Sequence, residues 1–369
     1  MNSNFDLSKR PFAVIWETTR SEESGCAAVE AQQPVPELTT HEGQKLIREA
    51  AEVQPPIFIL SGTDPLQRGD IYDLVRFAAS YNLHTILAAH ATPKLDRPAI
   101  FDLKKSGLSR IAMAVDGSRP DLHDRVRGVD GSFARTINAI RWANEAGIPL
   151  QINTCVTKSN LRDLANIVAL LRGFRLVLWN IAFPVPRLGI EPGALPTAEQ
   201  FEQSFAWLYR FAQEMPFKIQ TNEAQHYRRY VLQQRSKKRQ KSMLATPALA
   251  ERGIPGLRPV NEGRGVMFIS HTGEVCPGSA LPVSAGNVRT GRLETIYRDS
   301  DLFASVRDST KLRGKCSHCE FREICGGSRA RSYALTGDIF AADPCCSYIP
   351  RSLAGTHDRK SPAEVAYTT

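Results

Sequence analysis

Five of the eight cysteines of the chain lie in its last quarter, at a spacing that suits soft metal ligation. The sequence runs Cys316-Ser-His-Cys319, then Cys325 after five residues, then the adjacent pair Cys345-Cys346 after nineteen more. Two thiolates separated by two residues can face one metal from a tight turn, and two later cysteines complete a set of four. Because successive side chains point in different directions, only one of the adjacent pair is needed. The spacing predicts a four-thiolate site and suits an iron–sulfur cluster and a zinc ion about equally.

The residues around these cysteines favour a charged cofactor. Gly326 and Gly327 allow the backbone to approach closely, since glycine lacks a Cβ atom. Arg322, Arg329 and Arg331 carry the positive charge that would offset an anionic iron–sulfur–thiolate cluster. These three arginines are therefore the candidates for offsetting the charge of such a cluster.

Composition indicates an ordinary soluble globular protein. The chain has 369 residues, of which 42% are hydrophobic and 23% charged, and its formal net charge is +9. Its basic run, Arg235 to Lys241, lacks the interleaved aromatic residues of a nucleic-acid surface, so no nucleic-acid partner is expected. Neither a signal peptide nor a stretch of 18 apolar residues is visible, which predicts a cytoplasmic protein with no membrane association. In that compartment cysteines are thiols or metal ligands rather than disulfides.

Short apolar runs alternate with amphipathic stretches over the first two thirds of the chain. The predicted strands are Ala13–Trp16, Ile57–Leu60, His84–Ala88, Ile111–Val115, Leu150–Thr154 and Leu176–Ile181. The predicted helices between them include Glu42–Val53, Ile71–Tyr81, Phe133–Ala146 and Leu161–Leu171. This alternation predicts an α/β protein with parallel strands, as a partial (β/α)6 TIM-like barrel or as a doubly wound sheet. In a barrel, functional loops meet where the strands end.

The chain divides by composition into four regions. Residues 1–235 form the predicted barrel, 236–265 a basic and then Pro/Gly-rich linker, 266–350 a small cysteine-rich auxiliary domain, and 351–369 a polar tail. Within the third region, Val266 to Cys276 is typical of a β-hairpin that turns at Thr272-Gly273.

Several motifs, in order along residues 11–350, resemble one enzyme family. They are Trp16-Glu-Thr-Thr19, Glu37-Leu-Thr-Thr-His-Glu-Gly43, Leu60-Ser-Gly-Thr-Asp-Pro-Leu66, His123-Asp124 with Arg127 to Phe133, Gln151 to Thr154, and Cys325-Gly-Gly-Ser-Arg-Ala-Arg331. Together they resemble the radical S-adenosylmethionine (radical SAM) enzymes that carry a C-terminal SPASM or twitch-type extension. That group includes haem- and peptide-modifying maturases.

The resemblance implies a partial barrel followed by an auxiliary-cluster domain. It implies that Gly62, Thr63, Asp64 and Pro65 contact the methionine amino group of S-adenosylmethionine through their backbone. It also implies a single auxiliary [4Fe–4S] cluster, and so favours iron–sulfur over zinc; its ligands would be Cys316, Cys319, Cys325 and, from the Asp-Pro-x-Cys pattern, Cys346.

The chain departs from the family at the loop after the first strand. Relatives of this kind hold a [4Fe–4S] cluster there with a C-x3-C-x2-C motif, whose three positions correspond to Glu22, Cys26 and Val29. Only Cys26 supplies a thiolate, and a valine cannot ligate iron. The usual cluster that cleaves S-adenosylmethionine is therefore not expected to assemble.

Other residues near the predicted barrel mouth admit a substitute site. Cys26, Cys155 and His90 are candidate ligands of a replacement metal, whereas the simpler interpretation makes Cys155 a buried apolar residue and His90 a hydrogen-bonded loop residue. Asp116-Gly117 and His123-Asp124 are expected to be turn and cap residues, with one carboxylate facing the mouth. Cys276 lacks the partner cysteine that a second auxiliary cluster would need after Gly286.

Three functions are consistent with these patterns. The first is a divergent family member that retains the C-terminal [4Fe–4S] cluster and binds a small molecule or peptide or transfers electrons, without the radical reaction. The second is an active radical SAM maturase or oxidoreductase on a tetrapyrrole or peptide, with unorthodox cluster ligation and an electron donor. The third is a zinc-stabilised scaffold.

Overall fold

Seven parallel strands follow one another across a single sheet in the order in which they occur in the sequence. The computed structural model describes residues 5–20, 36–186, 192–241 and 259–354. The strands are β1 (Ala13–Thr19), β2 (Ile57–Gly62), β3 (Thr85–Ala88), β4 (Arg110–Ala114), β5 (Leu150–Cys155), β6 (Leu178–Ala182) and β7 (Lys218–Asn222). Every consecutive pair is parallel and is connected through at least one helix. This is the repeated strand–helix unit of a partial TIM-like barrel.

The helices of this part are α1 (Thr40–Val53), α2 (Ile71–Ser80), α3 (Arg97–Lys105), α4 (Pro120–Arg127), α5 (Ser132–Glu145), α6 (Leu164–Leu171), α7 (Ala198–Glu214) and α8 (His226–Lys241). The ends of the six predicted strands differ from those of β1 to β6 by at most three residues. The ends of the four predicted helices match those of α1, α2, α5 and α6 equally well when the short 3-10 turn before α6 is counted as part of it. Helix α1 begins at a capping box in which the Thr39 hydroxyl accepts from the Glu42 backbone while the Glu42 carboxylate accepts from Thr39.

The C-terminal region continues the same sheet. It contains β8 (Asn261–Glu262), β9 (Gly265–Ile269), β10 (Glu274–Cys276), β11 (Gly286–Asn287), α9 (Leu293–Asp299), α10 (Asp301–Arg307) and α11 (Arg329–Thr336). Strands β9 and β10 form the predicted antiparallel hairpin, and β9 also pairs in parallel with β1, with Ala13 opposite Val266. The boundaries of the four regions remain predictions, although α8 runs past residue 235 and β9 joins the barrel's own sheet.

One large hydrophobic cluster packs the strands against their helices. Trp16 and Trp179 are completely buried, and the Trp179 indole donates to the Thr154 hydroxyl at 2.9 Å. Trp142 and Trp207 pack against the same cluster. Within the described residues, no helix is both long and apolar enough to cross a membrane.

Candidate functional site

Four of the C-terminal cysteines line one cavity, here called the thiol cavity. Cys316, Cys319, Cys325 and Cys346 border a space of about 410 Å³, which includes volume open to solvent. Cys345 is instead buried in the hydrophobic core, 8% exposed, and is not among the lining residues. The structure therefore distinguishes the two adjacent cysteines, as the sequence pattern required.

Short turns present the first three thiols. Cys316 ends the 3-10 turn Gly314–Cys316, and the backbone N–H of Cys319 donates to its carbonyl at 3.3 Å. The N–H of Gly327 donates to the Cys325 sulfur at 3.4 Å. Gly327 has φ of 67°, and a Cβ atom there would lie 2.9 Å from the Cβ of Asp343, so the close backbone approach predicted at this glycine occurs.

A buried ion pair holds the returning loop that carries the fourth thiol. The Arg331 guanidinium donates to both carboxylate oxygens of Asp343, at 3.0 and 2.8 Å, and neither side chain is exposed. The Asp343 carboxylate also accepts from the backbone of Cys345 at 3.0 Å, and its carbonyl accepts from Cys346 at 3.2 Å. Arg331 thus positions Cys346 through Asp343.

The charges around the thiol cavity differ in part from those predicted. Arg322 lines it as expected, but Arg331 is paired with Asp343 and Arg329 donates to two backbone carbonyls, of Ile339 and Ala341. The other cations that line it are Arg229 and Lys315. Neither was predicted, because Arg229 lies far from the cysteines in the sequence and Lys315 belongs to no recognisable pattern. Lys315 donates to the carbonyl of Cys346.

Burial disfavours the thiolate form of two of the cavity thiols. It raises the pKa of Cys325 to about 12 and the pKa of Cys346 to about 11. Metal binding to such thiols releases their protons, so it is pH-dependent. The thiols border the cavity rather than converge on one point: among the described residues, no group of three or more His, Cys, Asp or Glu side chains is arranged to hold a single metal ion.

One imidazole at the thiol cavity has no hydrogen-bond partner in the described structure. His226, the first residue of α8, is completely buried and lines the cavity, and neither of its ring nitrogens is paired. Native proteins rarely leave a buried polar group in this state. A sulfur-containing group in the cavity would supply the missing acceptor.

The loop after β2 lies directly over the end of β1. Gly62 has φ of 148°, and a Cβ atom there would approach the Thr19 carbonyl oxygen to 2.5 Å, so only glycine fits. The Thr63 N–H donates to the same carbonyl at 3.3 Å. Asp64 is buried and accepts from the Leu66 backbone at 3.2 Å. Its carboxylate therefore shapes the turn, and the contact of Gly62 to Pro65 with S-adenosylmethionine stays a prediction.

The side chain of Glu37 connects the two ends of the segment, residues 21–35, that contains Cys26. Its carboxylate accepts from the Thr19 hydroxyl at 2.7 Å and from the Arg20 N–H at 2.8 Å. Arg289 donates to the carbonyls of Pro36 and Glu37, which fixes the far end. Residues 21–35 between these anchors, including Glu22, Cys26 and Val29, lie outside the described residues.

Arg127 connects several candidate residues of the barrel mouth. Its guanidinium donates to His90 Nδ1 at 3.0 Å and lies 3.5 Å from the Asp116 carboxylate. Asp116 in turn accepts from the Cys155 N–H at 2.7 Å, and its own N–H donates to His123 Nδ1 at 3.1 Å. The position of these residues at one barrel mouth was predicted from the sequence. The contacts that Arg127 makes with His90 and Asp116 were not.

Burial shifts the pKa values of this group. Burial, reinforced by Arg127, lowers the pKa of His90 to about 4, and burial raises the pKa of Cys155 to about 12. Asp116 is buried, with 1% of its surface exposed. Asp124 accepts from the Phe133 N–H at 2.7 Å at the start of α5, in line with its predicted cap role. Cys276 is buried in β10.

Comparison with known proteins gives consistent results. The profile of the radical SAM superfamily matches residues 23–171. An AdoMet-dependent heme synthase of Oleidesulfovibrio alaskensis is 35% identical over 94% of this chain and 89% of the relative, and a PqqA peptide cyclase of Rhodopseudomonas palustris is 28% identical over 95% and 89%. The crystal structure of Streptococcus suis SuiB superposes with a TM-score of 0.69 at 16% identity, covering 92% of this chain and 78% of that one.

Proposed function

The chain belongs to the radical SAM superfamily, and on that basis we propose that it is a maturase that modifies a tetrapyrrole. Similarity to the heme synthase extends over nearly the whole chain and exceeds that to the peptide cyclase, at 35% against 28% identity. A peptide substrate is the second candidate, supported by the likeness to the cyclase. These relatives support a maturase over the non-catalytic binding or electron-transfer protein that the missing cysteines first suggested.

The observation that carries the proposal is the thiol cavity. Four thiols, a buried imidazole without a partner and three cations border one space, which fits an anionic [4Fe–4S] cluster. Cys316, Cys319, Cys325 and Cys346 would hold it, and it would supply one-electron transfer next to the barrel. The residues of the chain contribute the soft ligands, the compensating charge of Arg229, Lys315 and Arg322, and the Arg331–Asp343 support beneath Cys346.

The donor set at the barrel mouth does not fit the three-thiolate cluster of the family. Between Arg20 and Pro36 the chain has one cysteine, Cys26, and one thiolate does not hold a four-iron cube. We therefore assign no reaction step to a cluster at this position. The backbone of Gly62 to Pro65, held against Thr19, remains the proposed S-adenosylmethionine contact.

Anaerobic reconstitution with iron and sulfide, followed by metal analysis, tests the cluster. We expect about four iron atoms per chain in the C-terminal site, lost in Cys316→Ala and retained in the matched variant Cys345→Ala, because only the first thiol lines the cavity. Equal iron loss in both variants would remove the ligand assignment. A protein that takes up zinc but no iron would instead support the zinc-stabilised scaffold.

An assay for 5′-deoxyadenosine tests the reaction in the same samples. Reduced protein with S-adenosylmethionine and an iron porphyrin that carries carboxylate side chains should release 5′-deoxyadenosine in proportion to porphyrin consumed. An active enzyme would need unorthodox ligation of a second cluster, with Cys26 as the one thiol of this chain at the barrel mouth, so Cys26→Ala should lower the yield. Release that requires a peptide and not the porphyrin would favour the second candidate. No release from protein with a full complement of iron would restore the non-catalytic interpretation. The reaction also needs an electron donor, and we propose that a separate protein or reductant supplies the electrons.

A further inference from the structure

His226 is held rigidly at the thiol cavity. It begins α8 and is completely buried. Its ring packs against those of Phe201 and Phe205, with centroids 5.1 and 4.8 Å away. Aromatic neighbours at these distances fix the plane of the imidazole without offering a hydrogen-bond acceptor in that plane.

The neighbouring carboxylate of Asp343 does not need a proton from this ring. The Asp343 carboxylate lies 3.9 Å from His226 Nδ1, beyond hydrogen-bond distance. It already accepts four hydrogen bonds, two from Arg331 and one each from the N–H groups of Ser328 and Cys345. Since an ionised carboxylate has about four lone-pair positions, Asp343 is saturated. The cavity that His226 lines is also lined by the sulfurs of Cys316, Cys319, Cys325 and Cys346, which can act as acceptors.

We propose that His226 donates a ring N–H to a sulfur of the C-terminal cluster, either a bridging sulfide or a cysteine thiolate, and thereby raises its reduction potential. This inference rests on the proposed cluster at Cys316, Cys319, Cys325 and Cys346. Four thiolates already provide one ligand for each iron, so the imidazole acts as a donor rather than a fifth ligand. Hydrogen bonds to cluster sulfurs stabilise the more negative, reduced state, so removal of the donor lowers the potential.

Arg229 is the other cavity-lining side chain with an unpaired buried nitrogen, Nε. Its two Nη atoms donate to Gln233 and Glu202, and its guanidinium lies over the Tyr348 ring at 4.8 Å. Loss of Arg229 would remove a whole charge as well as a donor. His226 therefore permits the cleaner test, because glutamine can replace its N–H while leucine cannot.

The test uses the full-length chain with Cys26→Ala, so that the C-terminal cluster is the only one reconstituted. Iron is first counted, and the reduced cluster is then studied by electron-nuclear double resonance in protein labelled with ¹⁵N-histidine. We expect an exchangeable proton and a weak ¹⁵N coupling. Because this measurement uses native His226, it does not depend on the folding of any variant.

Potentiometric titration followed by electron paramagnetic resonance supplies the second readout. His226→Leu should shift the midpoint potential to a more negative value and abolish the ¹⁵N coupling, and His226→Gln should restore part of the shift. Phe205→Leu is the matched control, since it disturbs the same aromatic packing without removing a donor, and should leave the potential unchanged.

Three outcomes would overturn the inference. Absence of ¹⁵N coupling, with equal potentials in His226→Leu and Phe205→Leu, would refute it while leaving the cluster in place. A strong coupling of the kind given by an iron–nitrogen bond would make His226 a ligand instead. Failure to bind iron at all would refute the proposed cluster, and this inference with it.

Discussion

Replacement of Arg331 by methionine should be among the most destabilising single changes in the C-terminal region. The guanidinium is completely buried, donates twice to Asp343, and donates to the Glu223 carbonyl at 2.7 Å. Its cationic carbon also lies 4.9 Å from the centre of the Phe201 ring. Methionine keeps the aliphatic bulk but leaves Asp343 as an unpaired charge in the interior.

The expected magnitude follows from that burial. Removing one partner of a buried, hydrogen-bonded ion pair costs about 3–5 kcal/mol, because the other charge stays desolvated. The exposed pair between Arg313 and Asp338 has the same separation, 2.8 Å, but its side chains are 69% and 31% exposed. Such surface pairs contribute about 0–1 kcal/mol. Arg331→Met should therefore lower the free energy of unfolding by at least about 2 kcal/mol more than Arg313→Met.

Urea titration of the metal-free chain, followed by circular dichroism, measures this difference. Burial alone would raise the pKa of Asp343, but Arg331 holds that pKa well below its usual value. The ion pair therefore stabilises the fold above about pH 4, and this contribution is lost as the pH falls further. Asp343→Asn in the Arg331→Met background should recover part of the loss by removing the orphaned charge. If Arg331→Met and Arg313→Met differ by less than about 1 kcal/mol, the reasoning from burial is wrong.

Two further predictions concern the barrel. Gly43→Ala should destabilise the protein by up to about 2 kcal/mol, because the new Cβ atom would lie 2.5 Å from the indole of Trp16 and this overpacking outweighs the gain in helix propensity. The control is Gly69→Ala, where the new Cβ atom would have no atom within 4 Å. Equal thermal midpoints of the two variants would contradict the prediction. Burial and Arg127 lower the pKa of His90 to about 4, so on acidification this side chain takes up a proton in the unfolded chain before it does so in the folded one. The free energy of unfolding should therefore fall as the pH drops from about 6.5 to about 4, by about 3 kcal/mol at most. His90→Gln should flatten that dependence in urea titrations across this range, and an unchanged slope would refute it.

Local patterns were sufficient for the first six barrel strands and for the hairpin. Strands β1 to β6 are short apolar runs with polar boundaries, and α1 is preceded by Thr39, whose side chain caps it directly. Strand β7 was missed, because its residues, Lys218 to Asn222, are mostly polar and alternate between exposed and half-buried at the sheet edge. The parallel pairing of β9 with β1 also escaped prediction, since about 250 residues separate the paired positions Ala13 and Val266.

The sequence by itself determined which residues were available for chemistry: four cysteines at ligand spacing in the last quarter, and a single cysteine where relatives carry three. Only the tertiary structure decided how they are used. It assigned Cys346 to the thiol cavity and Cys345 to the core, and it placed His226, from an earlier helix, against that cavity. Spacing along a chain records only which ligands one turn can present together. Burial, charge and unpaired donors depend on segments that meet after folding, and these segments lie about 90 to 120 residues apart in the case of His226 and the cavity cysteines.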